Sequence, residues 1–269
     1  MLPVTLPETR GPLGRVLVLI PTYNERENLP RIVARTRAAV PEADILVLED
    51  GSPDGTGRVA DQLAQVDDQV TVMHRGQKGG LGAAYLAGFD WALEHGYGAV
   101  VEMDADGSHQ PEQLRALLVA AEDADVVIGS RWVPGGSVVN WPAHRKALSV
   151  GANVYTRVLL GMPVHDATGG YRVYRASTLR RLGLSSVRSQ GYCFQVDMTW
   201  RAVRSGLTVL EVPIEFVERE TGDSKMSPDI VRESLLKITG WGAAYRGRQL
   251  TSGLARVSSR RREAQWHRL

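Results

Sequence analysis

Val100-Val101-Glu102-Met103-Asp104-Ala105-Asp106-Gly107-Ser108-His109-Gln110-Pro111-Glu112 is an apolar run that stops at two carboxylates one residue apart. An apolar strand, then Asp-x-Asp, then a Pro-started helix places both acids at the carboxyl end of a strand, where open α/β sheets bind ligands. Two hard oxygen donors this close suit Mg²⁺ or Mn²⁺ held jointly with substrate phosphates. Mg²⁺ takes few protein ligands and keeps water or phosphate for the rest.

The same design repeats on either side of that stretch. Arg15 to Ile20 is a β-branched and leucine run ending at Pro21-Thr22-Tyr23-Asn24-Glu25, and Leu29, Ile32, Val33 and Thr36 then recur at helical spacing. Asp44 to Leu48 reads as a second strand, ending in Glu49-Asp50-Gly51-Ser52-Pro53-Asp54-Gly55-Thr56 before a helix with Val59, Leu63 and Val66 on one face. Gln69 to His74 is a third strand, and 79–94 a helix carrying Leu81, Tyr85 and Phe89. Ala99 to Met103 is the fourth strand, Pro111 to Ala120 its helix and Asp125 to Gly129 the fifth. Such alternation predicts an α/β fold, a Rossmann-like and mostly parallel sheet with helices on both faces. Neither glycine-rich phosphate loop is present. Gly80-Leu81-Gly82-Ala83-Ala84-Tyr85 breaks G-x-G-x-x-G at its last position, which argues against a dinucleotide oxidoreductase, and no P-loop occurs.

Beyond Gly129 the pattern changes. Arg145 to Gly161 reads as a helix with Leu148, Ala152, Tyr155, Leu159 and Leu160 on an apolar side; it either faces the core or lies at a membrane surface. Gly191 to Arg204 reads as another helix, and Leu207 to Phe216 as a further strand. A final helix from Pro228 to Tyr245 sets Trp241 and Tyr245 among basic residues, as an interface helix or a helix packed on its own domain would.

Composition narrows the class of partner. The 269 residues are 43% hydrophobic, enough for an ordinary core. With 32 basic against 30 acidic residues the net charge is +2, which argues against nucleic acid as a partner. The lone Cys193 excludes an internal disulfide framework and fits a reducing compartment. No run reaches the roughly 18 apolar residues that span a bilayer. Residues 1–14 read as a flexible leader, 15–250 as one catalytic domain with halves 15–130 and 131–250, and 251–269 as a basic, disordered tail.

Pro21 to Glu25, Asp50 to Thr56, Asp104 to Ser108 and Arg131 all follow strands, so one parallel sheet would bring them to one edge. Taken with Gly79-Gly80-Leu81-Gly82 and Gly129-Ser130-Arg131, these motifs resemble the family 2 glycosyltransferases of GT-A fold. Within them, Asp166-x-Thr168-Gly169-Gly170-Tyr171-Arg172, Gly191-Tyr192-x-Phe194-Gln195 and Arg219-x-x-Gly222-x-Ser224-Lys225 are similar to the polyprenyl-phosphate (dolichol-phosphate) mannose synthase branch. The likeness runs from about residue 15 to 245.

That resemblance implies transfer of mannose from GDP-mannose to a polyprenyl monophosphate, with inversion, and GDP as the second product. It implies that Pro21, Tyr23, Glu25, Leu48, Asp50 and Ala105 line the nucleotide-sugar, and that Asp104 and Asp106 hold Mg²⁺ or Mn²⁺ at the diphosphate. Ser108 stands where some relatives carry Gln, so a bridging water stands beside direct coordination as its role. Arg131, Arg219 and Lys225 are expected to stabilise the charge on the departing diphosphate. The acceptor phosphate is already anionic, so no general base is assigned, and His74 and His109 are given loop or helix-start roles. A prenyl chain stays in the lipid, which implies peripheral attachment at the cytoplasmic face of a membrane, by the helices at 145–161 and 228–246 or through a separate membrane-anchoring partner. Two rival readings share these motifs: glucosyl or other sugar transfer on the same fold, and a non-enzymatic nucleotide-sugar-binding scaffold. A nucleotidyltransferase would show a glycine- and arginine-rich first loop, which Pro21 to Glu25 is not.

Overall fold

The computed structural model describes residues 11–76, 79–189, 191–219 and 235–246. The expected tail at 251–269, Lys225 and the first turns of the last helix lie outside the described residues.

Seven strands form one sheet. They are β1 (Val16–Thr22), β2 (Asp44–Glu49), β3 (Val70–His74), β4 (Ala99–Glu102), β5 (Val126–Ser130), β7 (Arg172–Arg175) and β8 (Val209–Pro213), in the order β3-β2-β1-β4-β7-β5-β8. A parallel pair, β6 (Ser137–Val139) and β9 (Glu215–Val217), stands apart. The helices are α1 (Leu29–Ala39), α2 (Thr56–Val66), α3 (Leu81–Glu94), α4 (Leu114–Ala120), α5 (Ala143–Leu160), α6 (Ala176–Arg181), α7 (Gly191–Arg204) and α8 (residues 235–246).

Strand periodicity explains the two-sided core. Leu17, Leu19, Leu46 and Leu48 point to one face, with α3 and α7, while Val18, Ile20, Ile45 and Val47 point to the other, with α1 and α4. Helix α3 lies close because residue 88 is glycine: a Cβ there would sit 2.7 Å from Leu19 Cδ1. At the start of the chain Leu13 joins the core and the Gly11 carbonyl accepts from Arg175.

All sheet pairings are parallel except those of β7, which runs antiparallel between β4 and β5, with Val101 and Val127 both opposite Val173. This reversal has a functional consequence. A reversed strand begins where its neighbours end, so the loop Asp166–Tyr171 enters at the carboxyl edge of β4 and β5.

Three expectations change. The strand expected over 207–216 is two strands in different sheets. Pro213 closes β8, the Ile214 N–H donates to Ser130 and its carbonyl accepts from Ser137, so the chain steps from the main sheet to the β6 pair. In α2, Val59 and Leu63 pack inward with Thr56 and Ala60, whereas Val66, on the last turn, overhangs the core and is 82% exposed. In α5 the expected apolar side divides: Leu159 and Leu160 pack in the core, whereas Leu148 and Tyr155 are exposed with Val150, Val154 and Val158, and Asn153 and Thr156 are buried. Helix α8 packs on its own domain through Ile238, the Trp241–Trp200 stack and a Gly242–Leu159 contact, and leaves Leu235 and Leu236 exposed. Among the described residues no helix is long and apolar enough to cross a membrane.

Candidate active site

β1, β2, β4 and β5 end at one edge, and the loops that follow them meet there. Pro21 and Tyr23 are half-buried at the end of β1. Glu25 is buried; its carboxylate accepts from Asn28 at 2.8 Å and its main-chain N–H donates to the Thr56 hydroxyl at 3.0 Å, which ties the first loop to the second. Asp50 accepts from Arg75 Nη1 at 2.8 Å and from the Gly79 N–H at 3.3 Å. Arg75 was not among the expected site residues. Its signal was its place directly after β3, whose His74 lies opposite Glu49.

Two residues expected to line the nucleotide-sugar have side chains packed in the core. Leu48 is fully buried beside α3, and Ala105 packs its methyl with the opposite cluster, so neither offers a side chain to a ligand.

The carboxylate loop is closely held. The main-chain N–H of Asp104 donates to Nδ1 of His109 at 3.0 Å, and its carboxylate is one-third exposed. Asp106 Oδ1 accepts from the Ser108 hydroxyl at 2.6 Å and the Ser108 N–H at 3.0 Å, while Oδ2 meets Arg219 at 3.1 Å. Burial pushes the Asp106 carboxyl up, but Ser108 and Arg219 outweigh it and hold it below the usual carboxylate range. Ser108 therefore orients Asp106. His109 is wholly buried, and burial pushes its imidazole below the ordinary value, so the ring is neutral. A ring whose Nδ1 already accepts from Asp104 is placed for structure, in keeping with the loop role expected of it.

Arg131, at the end of β5, forms a bidentate pair with Asp166, 2.7 Å on each arm, and also donates to Thr168 at 2.9 Å. Burial pushes Asp166 up, but the Arg131 charge and its hydrogen bonds outweigh that and keep the carboxyl low. Behind this pair Arg172, fully buried, donates to the carbonyls of Ala167, Gly169 and Gln195 and to the hydroxyls of Thr199 and Tyr174. It pins the reversed-strand loop against the site. Asp166 and Arg172 were read as motif residues without roles; the antiparallel insertion of β7 gives them one.

Glu102, also absent from the expected set, lies beneath the site. One carboxyl oxygen accepts from Gln195 at 2.8 Å, and the other has no hydrogen-bond partner in the structure. Burial pushes this carboxyl up to about 8, against the Arg172 charge, so it is neutral at pH 7.

A cavity of about 150 Å³ opens from these loops. Asp104, Ser108, Arg131, Arg145 and Arg219 line its polar end, and Leu148, Ala152, Leu235 and Ile238, from α5 and α8, its apolar end. Arg145, which was assigned no role, pairs with Glu218 and lies 4.2 Å over the Trp141 ring. Among the described residues no His, Cys, Asp or Glu joins Asp104 and Asp106 to make a group of three that could hold a metal. Two carboxylates on one loop fit a hard divalent cation that completes its shell with phosphate and water.

A mostly parallel sheet with an Asp-x-Asp loop at its carboxyl edge and cations facing it defines a glycosyltransferase of GT-A fold. The chain belongs to the glycosyl transferase family 2, whose match spans residues 17–183. It is 59% identical over 244 residues to the polyprenol monophosphomannose synthase of Mycolicibacterium smegmatis, covering 90% of this chain and 91% of that one. It is 57% identical over 240 residues to the undecaprenyl-phosphate mannosyltransferase of Micrococcus luteus, covering 89% and 99%. Among solved structures it is similar to glucosyl-3-phosphoglycerate synthase from Mycobacterium tuberculosis in complex with Mn²⁺, UDP-glucose and phosphoglyceric acid. That match has a TM-score of 0.62 at 19% identity, covering 84% of this chain and 80% of that one, and it speaks to the fold alone. The family resemblance read from the motifs therefore holds.

Proposed function

We propose that this glycosyltransferase moves mannose from GDP-mannose to a polyprenyl monophosphate at a membrane surface, inverting the anomeric centre and releasing GDP. The observation that carries this reading is a cavity that is polar at Asp104, Arg131 and Arg219 and apolar at Leu148, Ala152, Leu235 and Ile238. A phosphate head suits the first end and a prenyl tail the second. The names of the two relatives support the same sugar and the same class of acceptor.

Asp104 and Asp106 would hold a divalent cation, Mg²⁺ or Mn²⁺, as two hard oxygen donors on one loop beside Arg219 suit an ion shared with phosphate. Bound there, the ion supplies positive charge to the departing diphosphate. Pro21, Tyr23, Glu25 and Asp50 surround the nucleoside. An oxygen of the acceptor phosphate forms the new bond to C1 as the bond from C1 to the GDP oxygen breaks, and the electron pair leaves with the diphosphate. Arg219, with Lys225 outside the described residues, stabilises that charge. Arg131 and Arg145 face the incoming phosphate from the cavity wall. The nucleophile needs no base, and neutral His109, committed to Asp104, supplies none.

The exposed apolar side of α5 supports peripheral attachment. It turns Asn153 and Thr156 inward and Leu148, Val150, Val154, Tyr155 and Val158 outward, which suits a lipid surface beside the apolar mouth of the cavity. The test is transfer of radiolabelled sugar from GDP-mannose or UDP-glucose to polyprenyl phosphate, with and without chelator. Organic-extractable mannosyl phospholipid, β-linked and metal-dependent, is expected. Transfer from UDP-glucose with none from GDP-mannose would overturn the reading.

A further inference from the structure

We propose that His109 is the positioning residue of the carboxylate pair: its Nδ1 accepts the main-chain N–H of Asp104, and its ring joins the Asp104–Ser108 loop to β9 and hence to Arg219. The ring is 1% exposed. Tyr171 stacks on it with centroids 4.9 Å apart and planes 14° apart, and Phe216 meets it edge-on at 5.5 Å and 78°. Tyr171 comes from the reversed-strand loop and Phe216 from β9, so one imidazole touches three separate pieces of the site.

The main chain repeats the connection. His109 forms an antiparallel bridge with Phe216, and the Val217 N–H donates to the Ser108 carbonyl at 3.2 Å. Two residues beyond Val217, Arg219 reaches Asp106. Holding His109 therefore sets where Asp104 points and where Arg219 arrives. Histidine meets both demands at once: a flat ring that fills the slot between Tyr171 and Phe216, and an acceptor at the Nδ1 position. Phenylalanine keeps the ring and loses the acceptor for the Asp104 main-chain N–H. Asparagine keeps an acceptor at the Nδ1 position and loses the ring.

The inference rests on Asp104 and Asp106 holding a divalent cation, so Mn²⁺ alone is the probe, followed by water-proton relaxation on the full chain without nucleotide. Asp106→Asn is the reference that should lose the ion. His109→Phe, which loses the acceptor, should raise the Mn²⁺ Kd about tenfold or more, whereas His109→Asn, which keeps the acceptor and loses the stack, should raise it only several-fold, as expected for a residue that orients a ligand. Tyr171→Phe, which keeps the stack, should leave the Kd unchanged, and Tyr171→Leu should raise it several-fold. If Asp106→Asn binds Mn²⁺ like the parent, the cation site itself fails. If Asp106→Asn loses the ion while His109→Phe keeps the parent affinity, or His109→Asn binds as weakly as His109→Phe, the role of His109 is refuted. Should His109→Phe not fold, equal affinities for Tyr171→Leu and Tyr171→Phe refute it instead.

Discussion

Replacing Asp166 with alanine should be among the most damaging single changes away from the carboxylate loop. The Asp166 side chain has no solvent exposure and its partner Arg131 has 6%. The substitution removes two charge-assisted hydrogen bonds at 2.7 Å, and with them the acceptor for the Arg131 main-chain N–H at 3.0 Å and for Asn153 at 3.3 Å. The guanidinium stays behind, buried without its counter-charge. Breaking such a pair from one side costs about 3–5 kcal/mol. Thr168 and the rings of Trp132, Trp141 and Phe216, 5.4–5.7 Å from the guanidinium, soften the loss, which points to the lower half of that range. In a domain of this size that corresponds to a fall in Tm of roughly 6–16 °C. The assay is urea unfolding across pH. Because the folded pKa of Asp166 is depressed below 3.8, its contribution is complete above the unfolded value and fades as pH falls through the folded one. The gap between parent and Asp166→Ala should hold from pH 8 to 5 and narrow below about pH 4. Replacing both partners, Arg131→Met with Asp166→Leu, should recover most of the stability and none of the activity, since the buried charge is gone. A loss under about 1 kcal/mol for Asp166→Ala at pH 7 would refute the reasoning, because the pair would then be behaving like an exposed one.

Asp104→Asn and Asp106→Asn should each lower mannosyl transfer by on the order of 10²-fold or more, with thermal stability close to the parent; rates at saturating Mn²⁺ that match the parent would remove these acids from the reaction. Glu102→Gln should stabilise the metal-free protein increasingly as pH rises. Burial lifts the folded pKa from 4.5 to about 8, so between those values the unfolded chain binds fewer protons and ionisation favours unfolding. Urea titrations should show the variant's advantage growing by on the order of 3–4 kcal/mol between pH 5 and 8, and an advantage independent of pH would count against a buried neutral carboxyl. Replacing Leu148 and Val158 together with serine should weaken partition onto anionic vesicles by roughly tenfold or more per side chain, given about 1.5–3 kcal/mol for each apolar side chain buried. Unchanged co-sedimentation would place the lipid contact elsewhere.

The strand ends were legible because a parallel sheet turns one-dimensional order into a shared edge. Pro21 to Glu25, Asp50, Asp104, Asp106 and Arg131 each follow an apolar run, and the structure points the four runs the same way in one sheet, with β7 between the last two, so that these residues meet at one rim. Local pattern does not carry what crosses the sheet the other way. Nothing in the spacing of Arg131 and Asp166, 35 residues apart, announces a bidentate pair; that needs β7 to run antiparallel between β4 and β5, and a four-residue strand reads the same in either direction. Leu48 and Ala105 are the complementary case, in which residues expected at the nucleotide-sugar have side chains packed in the core.

Helix α5 is the deepest case, because periodicity finds an apolar side without saying which way it faces. Ordinarily the core decides, since the inner side of a helix meets hydrocarbon. Here the inner side meets the buried Arg131–Asp166 pair and its loop, so Asn153 faces inward to donate to Thr168 at 3.0 Å and to Asp166 at 3.3 Å. Asn153, Thr156 and Leu160 supply the fully buried side, and the valines at 150, 154 and 158 are left outside with Leu148 and Tyr155. A polar site has thus displaced apolar residues from the interior of their own domain. The same residues that bind the loop inward create the need for an apolar environment outward, and Leu148 also lines the apolar end of the cavity. The site loop and the exposed apolar surface are then two sides of one helix, which is why neither could be read from its sequence without the other.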